Sequence, residues 1–331
     1  YYFLWGQHLS LSYFDHPPMV GWLMSFSSGF KNIAEGAIRW PFILLSHGTL
    51  FVWYLILKED LSDQVMKLFL ITALLNPLWG WGAFIATPDI PLVFLWSLSL
   101  YFTKNLIHDS KLSDYFGLGL SLGLGFLAKY QIVLFVPALL IFLWQQKLFH
   151  RLLSWKSTVT VIIGLLACAP VFIWNYQHEW ASFTFQWEHG MAPKHWNWKE
   201  PFNYVLSQLF LIFPSFLVFI FAKDKGWKNH WLTPFVLFPF AFFLYSSFKG
   251  RVEGNWVIMA FPATYALAYL FTNKVKFHFL KKTNYLWAAL LIIAFTLIVF
   301  QKSLPPIKTK LTEYKKYDKV LNFASKSELP L

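Results

Sequence analysis

The sequence predicts an all-α polytopic membrane protein, on three observations. The chain of 331 residues is 57% hydrophobic and only 13% charged, with a mean hydropathy of +0.47, whereas soluble domains carry about 25% charged residues. Its apolar residues come in continuous runs of helical length, not in the period-two alternation of a β-barrel. Its 28 basic residues are spread unequally over the segments between those runs, as membrane topology demands. One cysteine and 37 phenylalanines exclude a disulfide scaffold, a coiled coil and a disordered chain. The formal charge of +12 fits loops facing anionic lipid. No soluble basic domain exists to carry nucleic acid.

The elements follow in order. Residues 1–37 read as a polar outward loop, rich in aromatics and broken by Pro17-Pro18. The spans of the bundle, 38–300, number about ten when each needs roughly 20 apolar residues: near 38–57, 67–85, 90–103, 115–128, 130–146, 158–174, 203–222, 232–248, 256–272 and 286–300. Asn76-Pro77 breaks or kinks the second span. Gly117, Ser121 and Gly125, and likewise Gly119 and Gly123, recur four apart, which lets helices approach closely in lipid. Lone Cys168 lies in an apolar run and reads as packing. The stretch 175–202 is a second outward loop, and 301–331 a basic tail on the same side.

Charge sets the orientation. The alternate loops 58–67, 104–114, 147–157, 223–231 and 273–285 hold 14 of the basic residues, the other set holds seven, and the tail the remaining seven. The first set is therefore cytoplasmic. The outward loops then carry nearly all the unusual chemistry. Tyr13-Phe14-Asp15-His16-Pro17-Pro18 holds an acid and an imidazole on a backbone fixed by proline, with aromatics placed to stack on a sugar. Asp89 in Thr87-Pro88-Asp89 stands where a span starts, where it serves as a helix cap or as a site residue. Lys129-Tyr130 falls at a sharp turn, where a lysine snorkels or meets an anion. His178, Glu179, Glu188, His189 and His195 lie in 175–202, without a His-Glu-x-x-His helix. Lys249, Arg251 and Glu253 precede Asn255-Trp256, and two cations suit a phosphate. A divalent ion held by Asp15, His16 and His189 is an arrangement these residue types allow. Acids, cations and aromatics on one membrane face suit an enzyme whose substrate has a lipid tail and a phosphate-linked head. A lipid-linked substrate transporter or flippase and a non-catalytic assembly subunit are the competing classes.

The chain resembles the bacterial family 39 glycosyltransferases (RgtA/B/C/D-like), which are related to protein O-mannosyltransferases and lipid A aminoarabinose transferases. The resemblance rests on ordered blocks: Tyr1-Tyr2-Phe3-Leu4-Trp5, Tyr13 to Pro18, Thr87-Pro88-Asp89, Leu127-Ala128-Lys129-Tyr130, Trp174-Asn175 with Phe185-Gln186-Trp187-Glu188-His189-Gly190, and Glu253-Gly254-Asn255-Trp256. It implies a GT-C fold in the bacterial plasma membrane. It also implies a polyprenyl-phosphate sugar donor used on the outward face, and a lipid, glycan or protein acceptor. Asp15 and His16 would be catalytic. Lys129, Tyr130, Lys249 and Arg251 would contact the donor phosphate, and Tyr13, Asp89, Glu188, His189, Glu253, Asn255 and Trp256 the substrates. The acidic pair that the family carries just before the two tyrosines is absent from this chain, so the main base is expected upstream of Tyr1.

Overall fold

The computed structural model describes residues 1–28, 37–80, 82, 85–107, 111–190, 196, 198–212, 226–271 and 274–299, and among them the regular structure is helical throughout. The tail 301–331 and the expected span ends at 213–222 lie outside the described residues. A first compact unit runs from Tyr1 to Trp287, and a second begins at Ala288.

The opening segment 1–37 contains two short helices, α1 (Tyr2–Gln7) and α2 (Met19–Ser28), packed on each other. Pro17 and Pro18 sit immediately before α2, where proline's fixed φ suits a helix start. Then come α3 (Trp40–Leu57), α4 (Asp63–Leu75), α5 (Asp89–Asn105) and α6 (Leu112–Ala128). α4 stops at Asn76, whose side-chain oxygen accepts the N–H groups of Leu78 and Trp79. The described residues 67–80 are therefore a helix followed by a capped turn. α6 starts where the Asp114 carboxylate accepts the Lys111 N–H at 3.0 Å.

Lys129 is extended (φ −162°) and ends α6, and a 3-10 turn, Tyr130–Leu134, leads into α7 (Phe135–Gln145). After α8 (Trp155–Gln177), the stretch read as a loop folds into α9 (Ala181–Gly190), and α10 (Lys199–Ile212) follows. α11 (Thr233–Ser247) is joined to α12 (Phe261–Leu270) through a 3-10 segment, Gly254–Ala260, and α13 spans Lys274–Val299.

The helices α3, α5, α6 and α8 pack in succession, while α11 lies against α7, α10 and α12. α5 and α12 are buried along most of their length and carry the core. Among the described residues two helices are long and apolar enough to cross a membrane, α3 and α8, and shorter apolar helices lie at 112–128, 130–145 and 233–247. Only 11% of the apolar stretch of α8 is buried, so its apolar side faces outward, which lipid permits and water penalises. The glycine spacing of α6 is used as close packing. A Cβ on Gly123 would stand 2.5 Å from the Gly164 carbonyl oxygen of α8.

Five polar side chains inside the bundle are paired with one another, although the indole nitrogens of Trp79 and Trp96 are buried without a partner among the described residues. Thr72 and Tyr269 share a hydrogen bond of 2.5 Å, Asn284 donates to the Tyr269 hydroxyl at 2.9 Å, and Asn76 donates to Tyr265 at 2.5 Å. Satisfaction of this kind is what burial in an apolar medium demands.

Candidate active site

One end of the bundle gathers four segments far apart in the chain: the first loop, the start of α5, the Lys129–Tyr130 turn and the 249–256 turn. Asp89, in the first turn of α5, is buried, yet makes no capping bond to its own helix. Its Oδ1 instead accepts the Lys129 ammonium at 2.7 Å, and its Oδ2 accepts the Asn255 side-chain amide at 2.7 Å. The Asp89 and Lys129 side chains are only 10% and 12% exposed. An ammonium and a carboxylate that deep require each other, because either alone would be desolvated without compensation. The two ends of the carboxylate thus tie the α6–α7 turn to the segment that enters α12. In this structure the anion that Lys129 meets is the Asp89 carboxylate, and Asn255 is likewise engaged by Asp89.

The neighbouring Tyr130 hydroxyl lies 2.6 Å from Ser182 Oγ in α9. Ser12 of the first loop and Asn175 of α8 lie near the same hydroxyl, and the Ser12 hydroxyl is buried without a hydrogen-bond partner among the described residues. Asn175 is the bracket of the α8–α9 elbow. Its side-chain oxygen accepts from both the N–H and the hydroxyl of Ser182, and its backbone oxygen accepts from Trp180 N. The bracket holds Glu179 and Trp180 at φ of 53° and 60°, a left-handed conformation costly for side chains with a Cβ.

One turn further along α9, Gln186 donates to the Asp15 carbonyl at 2.6 Å, and the Phe185 and Phe14 rings meet at 4.9 Å. The elbow thereby sets the position of the first loop. The Asp15 carboxylate is half-exposed and accepts the Tyr1 hydroxyl at 2.8 Å. Partial desolvation of that hydroxyl, and then the bond and charge of Asp15, push the Tyr1 pKa up to about 12.

His16, in the same loop, has its ring 6.1 Å from Tyr2 and 6.5 Å from Trp5. Tyr13, expected to offer a face to a sugar, stacks on Trp5 at 3.9 Å, and its hydroxyl bonds the Trp5 and His8 carbonyls. Burial raises its pKa. Arg251 and Glu253 form an ion pair at 3.2 Å, with the arginine side chain 71% exposed. Lys249 lies over the Tyr245 ring at 4.9 Å. Trp256 is half-buried and edge-on to Phe243 at 5.9 Å. Glu188 is exposed on α9, and the side chain of His189 lies outside the described residues, as does His195. Among the described residues no three His, Cys, Asp or Glu side chains gather as a metal site would need. Of the three side chains in the divalent-ion arrangement, the described ones are Asp15 and His16, adjacent in one loop.

Sequence reasoning gave no role to Tyr1, Ser12, Asn175, Ser182 or Gln186. Asn175 and Gln186 stand in the ordered blocks, but the Gln186 bond reaches back to Asp15 near the start of the chain, and the Asn175 bonds to Ser182 follow no local pattern.

Residues 15–174 match the family model described as dolichyl-phosphate-mannose-protein mannosyltransferase. Two solved structures of ArnT from Cupriavidus metallidurans, one apo and one bound to undecaprenyl phosphate, superpose with a TM-score of 0.66 over 94% of this chain at 16% identity. The chain has the fold of ArnT and is similar to family 39-like GT-C proteins. Curated relatives point the same way. The lipid A galacturonosyltransferase RgtD of Rhizobium johnstonii is 23% identical over 288 residues, which is 81% of this chain. The lipopolysaccharide core galacturonosyltransferase RgtA of the same organism is 27% identical over 182 residues, 51% of this chain. The chain spans 58% and 34% of the length of those two relatives and 59% and 60% of the two ArnT chains.

Proposed function

We propose that the chain is the membrane part of a glycosyltransferase that moves a sugar from a polyprenyl-phosphate donor to a lipid-linked or glycan acceptor on the outward face of the bacterial plasma membrane. The observation that carries this reading is the convergence at one end of the bundle. Asp15, the Lys129–Asp89–Asn255 cluster and the exposed Arg251 belong to segments that the Asn175 elbow and the Asp89 carboxylate tie together.

In this reading the acceptor hydroxyl attacks the anomeric carbon, the bond from that carbon to the phosphate oxygen breaks, and the polyprenyl phosphate departs with the electron pair. Asp15 is the carboxylate of this chain placed to receive the hydroxyl proton, with Tyr1 and Gln186 fixing it and His16 beside it. Arg251 meets the charge growing on the departing phosphate, and the Lys129–Asp89 pair holds its turn in place. An apolar groove of about 410 Å³ between α6, α7 and α8 is lined by Phe126, Val136, Leu140, Leu165, Cys168 and Phe172. It suits a prenyl tail, and Phe126 brings it to within 5.0 Å of the Tyr130 ring. The relatives' names, lipid A and lipopolysaccharide core galacturonosyltransferase, and the undecaprenyl phosphate bound by ArnT agree with both substrate classes. Transport is the weaker reading, because five polar side chains inside the bundle, Thr72, Asn76, Tyr265, Tyr269 and Asn284, are bonded to one another.

The test is transfer of labelled sugar from a polyprenyl-phosphate donor by the purified full-length protein. Arg251→Ala should cut transfer and weaken donor binding together. Donor binding and turnover that are both unchanged would remove Arg251 from the site.

A further inference from the structure

Beside the candidate active site lies an aromatic surface that the transfer reaction as described does not use. Trp196 and Trp198 are 63% and 78% exposed. Both rings meet Phe248, each at 5.1 Å, and Trp196 also meets Tyr245 edge-on at 6.4 Å. Tyr245 is itself 51% exposed and carries the Lys249 ammonium on its ring face at 4.9 Å.

Tyr245 and Phe248 are the last turn and cap of α11. Six residues on from Lys249, Asn255 grips Asp89. Cluster and site therefore share one short turn, with Arg251 between them.

Trp and Tyr are enriched at membrane boundaries, where their rings sit at the level of the headgroups. In this group two indoles converge on a single ring and a cation is held on the π-face of its neighbour. A cation on an aromatic face is bound loosely when exposed and keeps its charge for an anion. Flat apolar faces with one cationic edge match a sugar ring, whose C–H face stacks on an indole, bearing a phosphate that meets the ammonium.

We propose that Trp196, Trp198, Phe248, Tyr245 and Lys249 form an acceptor subsite for a phosphate-bearing sugar. This deepens the transferase reading and rests on it for the identity of the bound ligand as acceptor. Lys249, expected from sequence to meet the donor phosphate, belongs in this assignment to the acceptor.

The experiment uses the full-length protein in lipid nanodiscs and two probes, a short-chain glucosamine disaccharide glycolipid with a phosphate and its phosphate-free twin. Titration calorimetry should show Trp196→Ala and Trp198→Ala weakening both probes about tenfold. Trp198→Phe, which keeps a stacking face, should restore most of the loss. Lys249→Gln should weaken the phosphorylated probe alone and erase the preference between the two. In turnover, the tryptophan variants should raise the acceptor KM and leave the donor KM in place.

Equal affinity in all variants overturns the assignment. So does a change confined to thermal stability or detergent extraction, which marks a membrane-interface belt. Wild-type protein that binds the probes with these preferences but transfers no sugar refutes the transferase reading and leaves the subsite standing. Wild-type protein that transfers sugar while the tryptophan variants keep the acceptor KM does the reverse.

Discussion

Removal of the Lys129 ammonium is the most instructive single perturbation. In Lys129→Met the Asp89 carboxylate keeps its 2.7 Å bond from Asn255 but loses its counter-ion, in a place where only 10% of its side chain meets solvent. Breaking a buried pair from one side costs about 3–5 kcal/mol, chiefly because a charge is stranded. The residual exposure and the Asn255 bond put the expected loss at the lower end, about 3 kcal/mol. For a chain of 331 residues that is a fall of roughly 4 °C in midpoint. Asp89→Asn strands the ammonium and should cost a similar amount. The double variant Asp89→Asn/Lys129→Met has no stranded charge and should cost no more than either single change, so a double-mutant cycle should return a coupling of about 3 kcal/mol. The assay is thermal unfolding of the four proteins in the same detergent, followed by tryptophan fluorescence. Additive single effects would refute the clamp, since they mean that Asp89 and Lys129 do not depend on each other.

Other outcomes follow from the same geometry. Gly123→Ala should cost about 3 kcal/mol, because its Cβ would meet the Gly164 backbone oxygen at 2.5 Å. Gly164→Ala, whose nearest contact is 3.4 Å, should be nearly neutral in the same melts. Gln186→Ala removes one bond and should change stability by only about 1 kcal/mol, yet cut turnover about tenfold by releasing the Asp15 backbone. Gln186→Glu, of the same length but with no N–H to donate, should not restore it.

His230 is held down at about 4, by burial first, with Asp60 opposing and Lys104 adding to the shift. Its Nδ1 accepts the Leu232 N–H at 3.3 Å. As pH falls below the usual value of about 6.5 the unfolded chain takes up a proton that the folded chain refuses until about pH 4. Stability should therefore decline over that window by about 2–3 kcal/mol, and His230→Gln should flatten the slope.

The helices were legible where one residue property repeats. Apolar runs announced α3, α5, α6 and α8, and the four-residue glycine spacing announced a close helix contact. The spacing alone does not name α8 as the partner, since that depends on Thr160 and Gly164, about forty residues away. The Lys129–Tyr130 turn was visible because two apolar runs stop there, but its pairing with Asp89 joins positions forty residues apart and is a product of packing. Segment 175–202 reads as a loop because Phe183, Phe185 and Trp187 alternate instead of following a helical period. The helix there is secured by Asn175, a single side chain whose bonds no sequence pattern encodes. The first loop displayed its acid and imidazole openly, but Tyr13 looked available for a sugar only while its stack on Trp5 was unknown.

The account depends on the first loop and the 249–256 turn meeting at the outward end of one bundle. Cysteine accessibility tests this most directly. With Cys168→Ser as background, Phe14→Cys and Arg251→Cys place thiols at exposed positions of those two segments, and Leu153→Cys places one at the 90% exposed site in the opposite set of loops. In intact spheroplasts a membrane-impermeant maleimide should label positions 14 and 251 and reach position 153 only after permeabilisation. Labelling of 14 and 251 from opposite sides of the membrane would contradict the account.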